Sequence, residues 1–366
     1  MTIESLFDNI FSEQDPSKPI LIAGPCSAES EEQLFNTAQQ LKTIGVNTFR
    51  AGIWKPRTRP NNFEGVGEIG LEWMSSVKKN LGLKTAVEVA NGEHVEKALK
   101  WNMDILWIGA RSSVNPFTVQ EIADALKGAN KPVLIKNPIN PELGLWIGAI
   151  ERVANAGIEQ IAAIHRGFST IQSDKYRNAP MWQIPLELKS TLPDIPILCD
   201  PSHIAGHRDY IFEVCQKAMD LSYNGIMVES HVAPDKALSD ALQQVTPKRL
   251  DEIIKSLILR RGSSDNALFN SQLEMLRAKI DTLDQQIIDI LAQRMKMVEE
   301  IGDFKKENAV TVFQLERWKE IIKTRPHWAI LQNMDGEFVK EVYQLIHQES
   351  IKLQTEMLNK STDLPD

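Results

Sequence analysis

Five short islands in a chain of 366 residues hold side chains whose types could do chemistry together. GPCS at 24–27 brings Cys26, and KPRT at 55–58 brings Lys55, Arg57 and Thr58. DPSH at 200–203 brings His203, the run GIMVES brings Glu229, and ALSD at 237–240 brings Asp240. One thiolate, one imidazole and two carboxylates form a mixed soft and hard donor set, which suits a divalent Mn, Fe, Co or Zn ion better than Mg or Ca. A structural zinc site more often gathers several cysteines at CxxC spacing. Here the four donors come from four distant segments, so the fold must assemble them, as expected of a catalytic metal with an open position for substrate. Each residue also has a plainer reading. Cys26 alone reads as a small buried hydrophobe and Asp240 as a helix cap. His203 and His207 are four apart, but Ile204 stands where the HExxH glutamate would be. Only the ordered set overturns these.

Between the donors lie cations suited to phosphorylated, carboxylated ligands. The segment KPRTRPNNFEG (55–65) is basic, rich in turn residues and long enough to fold over a rim. Lys55 and Arg57 could hold a phosphate or an aldehyde oxygen, with arginine adding bidentate geometry. Arg111, Lys136 and Arg166 follow three successive β-branched runs and would converge on one ligand of more than one negative charge. The chain as a whole is acidic, at net −8. That argues against a nucleic-acid partner bound through phosphate neutralisation and requires a local cation cluster for any anionic substrate.

Positioning these residues takes a repeating scaffold. Short β-branched runs at 19–24, 47–52, 84–90, 105–110, 132–137, 160–166, 196–200 and 225–230 alternate with amphipathic stretches such as 31–45 and 207–221. Eight strand–helix units predict an α/β fold, a parallel (β/α)8 TIM barrel. An open doubly wound sheet is the alternative, disfavoured by the count of eight and by the absence of GxGxxG after the first strand. Cys26, Arg50, Arg111, Lys136, Arg166, His203 and Glu229 then all fall at or just beyond strand C-terminal ends, the catalytic face of such a barrel. Three widely spaced cysteines make no disulfide framework, which points to the cytoplasm. The first residues lack the basic and apolar regions of a signal peptide, and no apolar run reaches the ~20 residues of a membrane helix.

With GPCS, FRAG (49–52), KPRT, IGAR (108–111), IKN (135–137), HRG (165–167), DPSH and ALSD in this order, residues 19–260 resemble the metal-dependent 3-deoxy-D-arabino-heptulosonate 7-phosphate (DAHP) synthases of the short type Iβ branch. The resemblance implies condensation of phosphoenolpyruvate with erythrose 4-phosphate. It implies that Cys26, His203, Glu229 and Asp240 ligate the metal. Arg50, Arg111, Lys136 and Arg166 would hold phosphoenolpyruvate, Lys55 would lie between the reactants, and Arg57 and Thr58 would position the aldose phosphate. Lys55 or Lys136 would move the proton, and the sequence leaves that choice open. Arg59 follows KPRT where relatives often carry Ser.

After residue 262 the strand pattern ends. Residues 263–269 read as a linker and 270–366 as an all-helical domain, with helices expected over about 270–307, 313–324 and 335–359. The apolar seam of the first runs Leu273, Leu276, Ile280, Leu283, Ile287, Ile290, and its next step lands on Arg294. Arginine on such a seam costs stability unless paired. Lys305, eleven residues on, projects from nearly the same face ~16 Å away, so the two could grip a dicarboxylate. Arg277 lies ~25 Å before Arg294 and would reach such a site only from a dimer partner.

LRAKID (276–281), LAQRMKMVEEIGDFK (291–305), the Arg317 turn and SIKLQ (350–354) are similar to the AroQ-type chorismate mutases. That similarity implies an intertwined homodimer converting chorismate to prephenate, with Arg277 of the partner, Arg294, Lys305, Arg317, Ser350 and Gln354 forming the pocket. The family often has Glu after the turn arginine, holding the substrate hydroxyl; here Trp318 follows Arg317. Two readings result: a bifunctional enzyme whose synthase is regulated by prephenate or chorismate, or a synthase carrying a non-catalytic sensor and dimerisation module. A different metal-dependent aldolase on the same barrel is a third, disfavoured by the KPRT loop.

Overall fold

The computed structural model describes residues 18–55, 63–170 and 175–359. The chain divides into two compact units, Met1–Gly262 and Ser263–Asp366.

In the first unit the eight predicted strands are β1 Ile20–Gly24, β2 Thr48–Ala51, β3 Lys84–Val89, β4 Ile105–Ile108, β5 Val133–Lys136, β6 Ile161–His165, β7 Ile197–Cys199 and β8 Gly225–Glu229. Each pairs in parallel with the next, and β8 closes onto β1, giving a closed barrel. The outer helices are α1 Glu31–Thr43, α2 Ile69–Leu81, α3 Gly92–Lys100, α4 Pro116–Leu126, α5 Leu143–Asn155, α6 Gln183–Thr191, α7 Pro201–Ala205, α8 Ile211–Asp220 and α9 Pro247–Ser256. Their starts follow local chemistry. Ser30, Asn91 and Thr246 accept hydrogen bonds from the backbone of Gln33, His94 and Arg249, each such cap contributing about 1 kcal/mol.

Two apolar layers hold the barrel. The larger lies between sheet and helices and includes Leu34, Phe49, Met74, Leu106, Ile122, Trp146 and Val228. The smaller fills the barrel interior with Ile20, Ile22, Ala86, Ile105, Trp107, Leu134, Ala162, Ile164, Leu198 and Met227. Side chains alternate faces along a strand, so the next inward position above this plug is i+2. That step lands on Glu88 above Ala86, Lys136 above Leu134, Arg166 above Ile164, Asp200 above Leu198 and Glu229 above Met227. The plug is a packed floor, and a ring of charge lies on top of it. The same step from Trp107 lands on Gly109, where a Cβ would strike the Glu88 carboxylate.

The second unit consists of α10 Ala267–Glu307, α11 Leu315–Leu331 and α12 Gly336–Asn359, with α12 packed on both others. Asn266 accepts from Phe269 N, so α10 begins before the expected residue 270. The middle helix was expected to stop near 324, ahead of Pro326, yet it runs to Leu331 with that proline inside. Buried Ile321 and Ala329 flank the proline, and packing on α12 outweighs the ~3 kcal/mol a helix-interior proline costs. Among the described residues of this unit only Val298, Ile321 and Ala329 are buried hydrophobics. Leu276, Ile280, Leu283, Ile287 and Ile290 are each more than half exposed. No helix among the described residues is long and apolar enough to cross a membrane.

Candidate functional site

Cys26 lies two residues past β1, Glu229 ends β8, and Asp240 precedes a 3-10 turn at Ala241–Gln243. One donor atom from each lies within 4.8 Å of the others. Hydrogen bonds tie the segments together: Gln244 accepts from Cys26 N at 2.9 Å and donates to Ser239 O at 2.8 Å, while Ser27 and Ser239 share a hydroxyl contact. Arg50 Nη2 donates to Cys26 O at 3.1 Å. Asp240 is held at φ 47°, a left-handed conformation that is costly for a non-glycine residue and concentrated at functional sites.

His203 stands beside this trio, its Nε2 3.8 Å from Glu229 Oε1. Local sequence sets its pose. Asp200 caps the short α7 by accepting from His203 N, Pro201 is pre-set for the first turn, and Gly206 ends the helix at φ 68°. His203 therefore sits in the first turn with Nδ1 3.0 Å from Asp200 Oδ1. A proton on Nδ1 facing Asp200 leaves the Nε2 lone pair free toward Glu229.

The donor set fits a divalent transition metal. Glu229 Oε1 is buried without a hydrogen-bond partner. Burial, aided by Glu229, pushes the Cys26 thiol up to about 12 against the opposing charge of Lys55, so without a compensating cation the sulfur stays protonated and donates to Asp240 Oδ2 at 3.4 Å. A bound metal inverts that balance by ionising the thiol. Burial alone would raise Glu229, but His203 and Arg50 outweigh it and bring it down. Burial is likewise overcome at Asp240, where His203 and Arg177 hold the carboxyl well below its ordinary value.

Next to the donors opens a cleft lined by Lys55, Glu88, Arg111, Lys136, Arg166, His203 and Asp240, with Ala110 and Ile139. The structure thus brings together the three cations read from successive strands. Lys136 Nζ is buried 2.7 Å from Asp200 Oδ2, whereas Lys55 Nζ reaches Cys26 Sγ at 3.1 Å. Arg166 is lowered by burial to about 10 and stays charged; it donates to Asn178 Oδ1 at 2.8 Å. Arg50, expected to hold the ligand, is not among the residues lining this cleft. It is fully buried 4.8 Å over the Trp107 ring, 3.5 Å from Glu229, with Nε and Nη1 unpartnered. Arg57 and Thr58, with Arg59, lie outside the described residues.

Several site residues escape a reading of the sequence. Asp200 joins Lys136 to His203, and its own motif, DPSH, could have given it away. Glu88 is a carboxylate inside a β-branched run at inward register. Asn178 bridges Arg166 to the His203 carbonyl, at 2.8 and 2.7 Å. Arg177 holds Asp240 and Gln243, at 3.0 and 2.7 Å. No local pattern marks Asn178 or Arg177.

The helical unit has its own cluster. Arg294 Nη1 donates to Ser350 Oγ at 2.8 Å, and Lys305 Nζ to Gln354 Oε1 at 3.1 Å. Ser350 and Gln354, one turn apart on α12, are buried polar residues. Burial lowers Arg294, the charges of Arg325 and Arg317 add to that, and Tyr343 opposes them, so three guanidinium groups feel one another here. Arg325, unmarked in the sequence reading, also lies 4.5 Å over the Trp328 ring. Arg317 itself pairs outward with Glu320 at 2.6 Å. Arg277 is not brought to this cluster; it is exposed and paired with Glu274 at 2.8 Å. Trp318 stacks on His347, ring centroids 4.0 Å apart.

A closed parallel barrel with soft and hard donors beside a cation-lined cleft defines a (β/α)8 enzyme for anionic substrates. The chain belongs to the DAHP synthetase I family, whose description matches residues 7–259, and it continues into a domain matching chorismate mutase type II at 276–355. A phospho-2-dehydro-3-deoxyheptonate aldolase of Thermotoga maritima is 34% identical over 237 residues, covering 65% of this chain and 68% of the relative. A 2-dehydro-3-deoxyphosphooctonate aldolase of Desulfatibacillum aliphaticivorans is 28% identical over 270 residues, covering 67% and 93%. The crystal structure of the Thermotoga maritima DAHP synthase superposes with a TM-score of 0.58 at 31% identity, over 65% of this chain and 68% of that one. A truncated form of the enzyme gives 0.57 at 30%, over 65% and 85%.

Proposed function

We propose that the barrel condenses phosphoenolpyruvate with erythrose 4-phosphate to DAHP and inorganic phosphate, and that the helical unit rearranges chorismate to prephenate. The observation that carries the first half is the convergence of Cys26, Glu229 and Asp240 within 4.8 Å beside the cleft of Arg111, Lys136 and Arg166. Cys26, His203, Glu229 and Asp240 would hold a divalent Mn, Fe, Co or Zn ion, which when bound supplies Lewis-acid polarisation of the aldehyde. Arg111, Lys136 and Arg166 bind the carboxylate and phosphate of phosphoenolpyruvate, with Arg50 beneath them. Its C3 then bonds to the aldehyde carbon, water adds at C2, and the C2–O bond to phosphate breaks. Geometry favours Lys55 over Lys136 as proton donor to the aldehyde oxygen. Lys136 is locked on Asp200, while Lys55 lines the cleft beside Cys26. Arg57 and Thr58 are proposed to position the aldose phosphate.

In the helical unit, Arg294, Lys305 and Arg317, with Ser350 and Gln354, bind the carboxylates and ether oxygen, and catalysis is positioning plus electrostatic stabilisation. The exposed seam from Leu276 to Ile290 is more apolar surface than a lone helix leaves to water. We assign it to a homodimer in which the partner chain delivers Arg277. Prephenate or chorismate bound there would regulate the synthase, since a fused product-binding domain is a ready allosteric input. A purely sensory helical unit is the second reading, favoured by Trp318 in place of the hydroxyl-binding Glu. The three cysteines, free and buried, fit a reducing cytoplasm.

The test is a metal titration. After chelation the chain should release no phosphate from phosphoenolpyruvate and erythrose 4-phosphate, and activity should return at one divalent ion per chain. Full activity in the stripped chain would overturn the assignment.

A further inference from the structure

We infer that His347 is the hydroxyl-recognising residue of the helical pocket, its imidazole Nε2 pairing with the ring hydroxyl of the bound dicarboxylate and its pose set by Trp318. This deepens, and rests on, the proposed chorismate site. His347 lies three residues before Ser350 and seven before Gln354 on α12, so the three share one helix face. Ser350 and Gln354 already accept from Arg294 and Lys305; these cations serve carboxylates. His347 differs from them. Its Nε2 is buried and has no hydrogen-bond partner, a state that costs free energy unless a ligand completes it.

The ring packs against two aromatic neighbours. It stacks on Trp318 with an interplanar angle of 9° at 4.0 Å, and Phe313 lies 6.1 Å away. Burial, followed by the charges of Arg294 and Lys305, lowers its pKa, so at neutral pH the imidazole is uncharged and fitted to a neutral hydroxyl. The indole that displaces the usual glutamate after Arg317 thus orients a replacement donor or acceptor from the facing helix.

The test uses the full chain with chorismate and with its analogue lacking the ring hydroxyl, measuring turnover and calorimetric affinity. His347→Phe keeps a ring on Trp318 and removes the nitrogen. Its kcat/KM and affinity for chorismate should fall about tenfold, with the analogue changed less than about twofold, as expected for one lost hydrogen bond. His347→Gln, whose amide reaches the same place, should recover part of the discrimination. Equal losses for both ligands, or no loss in either variant, would overturn the inference. Should wild type bind chorismate without converting it, the mutase reading falls alone and the affinity ratios still decide His347. If chorismate does not bind at all, both fall.

Discussion

Gln243 Nε2 donates a 2.6 Å hydrogen bond to Glu229 Oε2, and the same amide accepts from Arg177, which also holds Asp240. Two carboxylates of the donor set are thereby linked through the Gln243–Arg177 pair. Gln243→Leu should weaken divalent-metal affinity about 10- to 100-fold, the usual effect of losing an outer partner of a ligand. Competition with a fluorescent chelator reads this directly, and unchanged affinity would show that the link is incidental.

Asp200 binds two partners at once, buried Lys136 at 2.7 Å and half-buried His203 at 3.0 Å. Burial opposes its charge, but His203 and Lys136 hold the carboxyl well below its ordinary range. Asp200→Asn removes the charge while keeping the shape, leaving Lys136 buried and unpaired. The barrel should lose about 3–5 kcal/mol, seen as a lower midpoint in denaturant.

His165 gives the barrel a pH signature. It lies between Pro180 O, 2.7 Å from Nε2, and the Tyr223 hydroxyl, 3.0 Å from Nδ1. Burial pushes it from 6.5 down to about 3. Between those values the unfolded chain binds the proton and the folded one does not, so the stabilisation is complete above pH 6.5 and is lost as pH falls toward 3. The slope is about 1.4 kcal/mol per pH unit. Urea melts at pH 6 and pH 5 should show this loss in wild type, and His165→Gln should reduce it by that amount.

The dimer assignment makes a complementation prediction. Arg277→Ala and Arg294→Ala chains should each lack mutase activity. Unfolded together and refolded, they should regain activity in about a quarter of the sites, because a mixed dimer rebuilds one intact pocket. No recovery would place Arg277 outside the partner's site.

The positions of the strands, and of Lys136, Arg166 and Glu229 in the charge ring, were legible because they depend on near-neighbour rules. β-branched runs fix strands, and the inward alternation carries Lys136 and Glu229 to the rim. His203 was legible through its Asp-Pro cap motif. Gln243, Arg177 and Asn178 were not, since each acts by meeting residues that only barrel closure brings near. Helix α11 ran past Pro326 because packing of Ile321 and Ala329 outweighed a local breaker. The burial of Arg50 over the Trp107 ring likewise follows from the packed floor rather than from its neighbours in sequence.

The central claim is that one chain carries two separate chemistries. Its most direct test is to assay metal-loaded wild type, Cys26→Ala and Arg294→Ala for both phosphate release from phosphoenolpyruvate with erythrose 4-phosphate and chorismate consumption. Wild type should do both, Cys26→Ala should lose only the first, and Arg294→Ala only the second. A wild-type chain that consumes no chorismate, or a substitution that abolishes both activities in a folded protein, would contradict it.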